Sequence, residues 1–338
     1  MKYLVFFLLA LIQCAEKADV YFTKKITDQR MVDIFKKLKV KLTGKVGLKI
    51  HSGEPGGLYF LKPNFLQKIY DYTNGTFLEC NTAYQSRRLE TETHKELLKE
   101  NGWTENGRRI DIMDENPDED KEFYLKNYVQ INNTFAGRHI ELYDSCVVLS
   151  HFKGHQMGGF GGALKQLSIG FASRRGKTWI HTAGKTENYK EIFNNIAPQE
   201  NFTNAMADAA SAIVNYFKDK GKIVYINVLA NISIACDCAG TSAPEPEIKD
   251  IGILASTDPV AIDTACLDLI KKTKENGTQP FINQVNNLLG ENTINMTEKL
   301  DIGTKNYNLI DIDKSDNSEE LISLTFNLIP LLLLLFCI

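Results

Sequence analysis

His155, Lys165 and His181 stand ten and sixteen positions apart (165 − 155 = 10; 181 − 165 = 16) in a glycine-rich stretch, HFKGHQMGGFGGALKQLSIGFASRRGKTWIH, residues 151–181. Imidazoles titrate near neutrality, so they move protons or ligate metals. A lysine taken out of water serves as a cation for an anion or as a covalent tether. Gly158, Gly159, Gly161 and Gly162 flank Phe160 and open onto the helix-like ALKQL. Backbone N–H groups at such a helix start can cradle an anion, with Lys165 one turn inside. Lys177, beside Arg174 and Arg175, adds outer positive charge. No Gly-Lys-Ser/Thr closes the loop, so it is not a nucleotide P-loop. The site expectation is therefore His155 and His181 as proton carriers or ligands, Lys165 as cation or tether, and Gly158, Gly159, Gly161, Gly162 and Lys177 as cofactor-binding positions. The plain structural alternative is a tight strand–helix turn with Lys165 in solvent.

A second group is sulfur. Cys236-Asp237-Cys238 follows the apolar run KIVYINVLANIS, and Cys80 sits in Glu79-Cys80-Asn81 at another expected strand end. In an extended chain, Cα atoms two residues apart are about 6.6–6.8 Å from each other, the upper end of the disulfide range. Metal ligation by Cys80, Cys236 and Cys238 suits that spacing better, with Zn²⁺, Cu(I) or a small cluster. A disulfide from Cys80 to Cys236 or Cys238, and unpaired thiols, remain open alternatives. Cys146 in SCVVLSHF and Cys266 in AIDTACLDLI have the surroundings of core residues.

Short apolar strands (ADVYFTKK, GKVGLKI, TFLECNTAY, RRIDIMDE, SCVVLSHF, KIVYINVLANIS, DIGILAS) alternate with helical patterns such as RMVDIFKKL, NAMADAASAIVNYFKDK and TDPVAIDTACLDLIKK. Asp28 is the expected cap of the first helix; Asp258 with Pro259 starts the helix of TDPVAIDTACLDLIKK. NPDEDKEF reads as a solvated acidic loop. This alternation predicts an α/β fold, Rossmann-like, with a mostly parallel sheet and helices on both faces. Functional loops then gather at the carboxyl ends of the strands. Strands ending near Ser150 and Ser233 should deliver His155, Lys165 and His181 to one cleft, with Cys236 and Cys238 at its rim.

SHFKGHQMGGFGGALKQLSIGFASRRGKTWIHTAG, YINVLANISIACDCAG and DIGILASTDPVAIDTACLDL resemble the DUF362 family, a domain-of-unknown-function family whose members are often labelled iron–sulfur centre proteins. With VYFTKKIT, GKVGLKIHSGEPGG, ECNTAY and DIMDE, the resemblance covers residues 20–312. Longer members carry a ferredoxin module after this glycine-rich segment. Here Thr182–Asn227 holds no cysteine, so a ferredoxin-type [4Fe–4S] cluster is not expected. The His–Lys–His spacing is also similar to that of the nickel-pincer lactate racemases. That similarity implies Lys165 as a cofactor tether, one histidine as metal ligand and the other as proton carrier.

The 338-residue chain carries 39 basic and 42 acidic side chains, a net −3. That balance, without a basic run, argues against binding the phosphate backbone of nucleic acid. Residues 1–15 read as a signal peptide and 316–338 as a glycolipid-anchor signal or hydrophobic tail. Sequons at Asn74, Asn132, Asn201, Asn231, Asn276 and Asn295 accompany them, Asn231 inside an apolar strand. The expectation is a secretory, surface-anchored protein with an enzyme-like site for a metal or a small anionic molecule or cofactor, of isomerase or oxidoreductase type. The alternative is a non-catalytic surface binding module on the same fold.

Overall fold

The computed structural model describes residues 17–116 and 119–314. The segments 1–15 and 316–338, read above as signal peptide and anchor signal, lie outside the described residues. In chain order the strands are β1 (Ala18–Thr23), β2 (Val46–Lys49), β3 (Thr76–Glu79), β4 (Ile110–Ile112), β5 (Asp120–Tyr124), β6 (Asn133–Gly137), β7 (Ser145–His151), β8 (Lys153–His155), β9 (Gly159–Gly161), β10 (Lys222–Leu229), β11 (Gly252–Ser256) and β12 (Tyr307–Asp311). The α-helices are α1 (Asp28–Lys37), α2 (Gln67–Thr73), α3 (Thr91–Glu100), α4 (Ala163–Lys165), α5 (Arg174–His181), α6 (Gln199–Lys220), α7 (Pro259–Lys271), α8 (Thr278–Asn287) and α9 (Gly290–Lys299).

Eight strands form one sheet in the order β12-β1-β11-β10-β7-β2-β3-β4. Neighbours are parallel except where β11 runs against β1 and β10. β7 reads SCVVLSH and is buried at every residue, as a strand covered on both faces must be. Its alternate residues serve two cores. Val147 and Leu149 join Ile34, Ile69 and Leu98 of α1, α2 and α3. Cys146 and Val148 join Leu164, Ile213 and Ile262 of α4, α6 and α7. The fold is thus α/β, mostly parallel, with helices on both faces. Cys266 is fully buried in the second of these cores.

α7 begins as its sequence requires: the Asp258 carboxylate accepts from the N–H groups of Val260 and Ala261, and Pro259 takes the first helical position. Three local expectations need correction. Thr27, not Asp28, caps α1, because the Thr27 hydroxyl accepts from Arg30 N–H at 3.1 Å. Asp120–Tyr124 is not a loop, since it pairs antiparallel with Asn133–Gly137. Asn231 lies beyond the end of β10 and is exposed, with φ of 50°. Among the described residues no helix is long and apolar enough to cross a membrane.

The sheet order creates the place for a site. From β2 the chain moves outward to β3 and β4, then returns on the other side of β2 as β7, and later β10. The crevice at the carboxyl ends of β2 and β7 is therefore a topological switch point, where ligands of open α/β sheets bind.

Candidate functional site

A cavity of about 520 Å³ opens there, within the size range of small-molecule sites. His51 follows β2, Glu79 ends β3, and His155 follows β7; all three line it. Lys165, Lys177 and His181 line it from α4 and α5. The structure thus brings His155, Lys165 and His181 together, with Cys238 in the same wall. Cys236 lines a smaller adjoining void of about 30 Å³, room for about one water.

The two histidines are set in opposite tautomers by the backbone. Nδ1 of His155 accepts from the N–H groups of Met157 (3.2 Å) and Gly158 (2.9 Å). Its proton therefore resides on Nε2 when the ring is neutral. His181 is the reverse: its Nδ1–H donates to the Lys177 carbonyl at 2.7 Å, which leaves a bare Nε2. Phe202 stacks on that ring at 5.0 Å. Burial, then the neighbouring Lys165 and His181, hold the His155 pKa well below the usual value. Burial lowers that of His181 to about 4, with Lys165 and Lys177 adding to the effect over the opposing Lys177 carbonyl.

Among the described residues, the Lys165 ammonium has no hydrogen-bond acceptor and no carboxylate partner. Burial first, then Lys153, lower its pKa to about 7. Lys165 is followed by a π-helical turn, Gln166–Gly170, whose residues Gln166, Ile169 and Gly170 also face the cavity. Lys177 is buried and donates to the Ala172 carbonyl at 2.5 Å. Arg174 and Arg175 do not line the cavity: Arg174 binds the Leu89 carbonyl and Glu90, while Arg175 binds Glu187 and lies over Phe135.

The glycine loop has a different task from the anion cradle expected of it. The N–H groups of Ala163 and Leu164 at the start of α4 are bound by the Asp263 carboxylate at 2.8 and 2.9 Å. Gly162 carries no side chain to cap the helix, and Asp263 of α7 caps it from outside. A Cβ on Gly162 would fall 2.5 Å from Asp263 Oδ1, so glycine is needed for that approach. Gly158 and Gly159 meet His155 and the backbone of Gly290 instead. We expect Asp263→Ala to lower the unfolding free energy by about 2 kcal/mol in urea denaturation, as two buried N–H groups lose their acceptor. An unchanged midpoint would show the cap to be dispensable.

The thiol expectations are corrected as well. Cys236 and Cys238 are joined to each other, and Cys80 is a free thiol buried in the core, donating to the Phe171 carbonyl at 3.5 Å. Cys236 itself is extended (φ −89°, ψ 166°), but the chain turns at the next residue. Asp237–Ser242 forms a 3-10 turn, which draws the two Cα atoms to 5.1 Å, well inside the disulfide range.

Sequence reasoning missed the charged floor. Glu79 accepts from Lys49 Nζ (2.9 Å), Arg88 Nη2 (2.7 Å), and the N–H and hydroxyl of Ser52. Arg88 also binds Glu54, which accepts from the Tyr84 hydroxyl. Asp237 accepts from Lys153 at 2.5 Å and faces His151 Nδ1 at 3.0 Å. An acidic residue closing the otherwise apolar strand TFLE, and the charges after GLKI, were the available signals. Of the cavity-lining charges, Arg88, Lys165 and Lys177 face a single carboxylate, Glu79. With Arg88 and Glu79 already paired, the surplus positive charge favours an anion beside Lys165.

A family model described as domain of unknown function (DUF362) matches residues 46–268. Strands β1 and β12 of the same sheet lie outside that match. No curated protein matches the chain. Among solved structures, a Thermotoga maritima protein from a structural genomics consortium is similar at 14% identity and TM-score 0.37, over 80% of this chain and 58% of that one. A lactate racemase apoprotein from Thermoanaerobacterium thermosaccharolyticum is similar at 15% identity and TM-score 0.37, over 72% of this chain and 57% of that one. The chain thus spans under two thirds of either structure.

Proposed function

The chain belongs to the DUF362 family, and from that premise and the shape of its cavity we propose that it binds a small anion and moves a proton on it. The opposed tautomers of His155 and His181 carry this reading. The anionic head docks on the unpaired ammonium of Lys165, with Lys177 strengthening the field. The bare Nε2 of His181 accepts a proton from the bound molecule, and the Nε2–H of His155 donates one, the exchange an isomerase requires. Both rings are neutral at pH 7, because their pKa values are lowered, and that is the state in which each begins its step. A non-catalytic binding module would leave these histidines open to solvent, whereas His155 is 7% exposed and His181 is half-buried.

A nickel-bearing cofactor of the kind implied by the racemase similarity is the second reading: the unpartnered Lys165 would hold it and the bare His181 Nε2 would ligate its metal, in which case that nitrogen would not be the proton acceptor. The metal would supply Lewis acidity. Elemental analysis of purified protein tests that occupancy. The secretory, lipid-anchored placement is part of the proposal and is supported by the sequence of residues 1–15 and 316–338. The sequon residues Asn74, Asn132, Asn231, Asn276 and Asn295 are exposed, as glycosylation would need.

Short 2-hydroxy carboxylates incubated with the protein in D₂O are expected to lose their α-proton NMR signal. His181→Gln should slow that loss by about 10²-fold without changing carboxylate affinity. Binding without exchange in the wild-type protein would leave the binding module as the better reading.

A further inference from the structure

A disulfide that closes a three-residue loop removes little freedom from the unfolded chain. Cys236–Cys238 is such a bond, and its position says more than its contribution to stability. Cys238 lines the large cavity and Cys236 the small void, so the bond lies in the wall between them. Lys165 lines both spaces. A ring nitrogen of His155 is within 4.8 Å of both sulfurs. With Nδ1 of that ring taken by two backbone N–H groups, its remaining polar atom is a donor. A metal on Nε2 would require the proton to move to Nδ1, against those two N–H groups. The surroundings therefore suit a sulfur anion better than a metal ion: Cys238 shares its cavity with the Nε2–H of His155 and the Lys165 ammonium, a donor and a cation. Cys80, Cys146 and Cys266 are fully buried and take no part.

We propose that Cys236–Cys238 is a redox-active disulfide, reduced within the cavity by a small thiol that carries a carboxylate. The ligand's carboxylate rests by Lys165 while its thiolate sulfur attacks Cys238 Sγ. The ligand–Cys238 bond forms as the Cys238–Cys236 bond breaks, and Cys236 leaves with the electron pair and takes up a proton. A second ligand thiolate attacks the ligand sulfur of the mixed disulfide, and Cys238 leaves in turn. Two ligand thiols become one ligand disulfide, and their two electrons and two protons end on Cys236 and Cys238. This shares the cationic cavity with the preceding reading but not its proton transfer.

The oxidised full chain is treated with mercaptoacetate or with cysteamine at equal thiolate concentration. It is then alkylated, and the peptides bearing Cys236 and Cys238 are quantified by mass spectrometry. Mercaptoacetate should reduce the bond at least about tenfold faster, and Lys165→Met should remove that preference. Equal rates in the wild-type chain, faster reduction by cysteamine, or no reduction of the folded protein by either thiol would overturn the proposal. Should Lys165→Met fail to fold, the wild-type ratio alone decides. Deuterium exchange plays no part in this readout, so a chain that keeps the preference but exchanges no protons loses only the earlier reading.

Discussion

Lys165→Met is expected to weaken carboxylate binding about 10³-fold and to make the protein more stable. Both effects come from one fact: among the described residues the Lys165 ammonium has no hydrogen-bond or ion-pair partner, and Asp237 acts on it only through its field. An anion in the cavity is then its counter-charge, and removing the cation leaves that anion desolvated without compensation. In the free protein the same charge is a cost. Its pKa falls from 10.5 unfolded to about 7 folded, chiefly through burial. Below pH 7 both states are charged and the folded state bears the whole penalty. Between pH 7 and 10.5 the unfolded chain holds more protons, so stability rises with pH across that window. Water in the cavity screens the ammonium, which leaves a gain of about 2 kcal/mol for Lys165→Met below pH 7, fading by pH 10.5. Wild-type affinity for a short 2-hydroxy carboxylate should decline as pH rises through 7. Calorimetric titration and urea midpoints at pH 6 and pH 9.5 measure both effects. Unchanged affinity at pH 6 would remove Lys165 from the site.

What the sequence disclosed about this site was what local chemistry and strand order determine. The apolar runs of β7 and β10 mark buried parallel strands, and their adjacency brings the loops after Ser150 and Leu229 to one edge. The spacing of His155, Lys165 and His181 is local to one strand–helix connection, so it could be read directly. The cap on α4 could not: Asp263 is 100 positions from Ala163, and nothing in AIDTACLDLI distinguishes it from an ordinary helical aspartate. The tautomers of the two histidines depend on the backbone groups of Met157, Gly158 and Lys177, which residue types do not reveal. The Cys236–Cys238 bond was misjudged because spacing was converted to distance on an extended chain, whereas a 3-10 turn shortens it. Arg88, Glu54 and Glu79 meet across separations of 34 and 9 residues that follow no period.

That buried floor supports the other large expected effect. Glu79→Gln should lower stability by about 3–5 kcal/mol at neutral pH. Lys49, Arg88, Glu54 and Glu79 form a cluster of two cations and two anions, with side chains between 0% and 6% exposed. Glutamine keeps the shape of Glu79, but it offers one acceptor oxygen where the carboxylate offers two, and its amide N–H₂ turns donors toward Lys49 or Arg88. The cluster is left with one uncompensated positive charge out of water. Burial alone would raise the Glu79 pKa, yet Lys49 and Arg88 hold it well below the usual carboxylate range. Its contribution is therefore complete above pH 4.5 and is lost as pH falls toward the folded-state value. If charge balance is the cause, Lys49→Met added to Glu79→Gln should restore part of the loss, because Arg88 and Glu54 then remain as a neutral pair. The double variant should be less destabilised than the two single losses combined. Additive losses in guanidinium denaturation would show instead that the individual hydrogen bonds, and not the charge balance beneath the cavity, hold β2 and β3 in place.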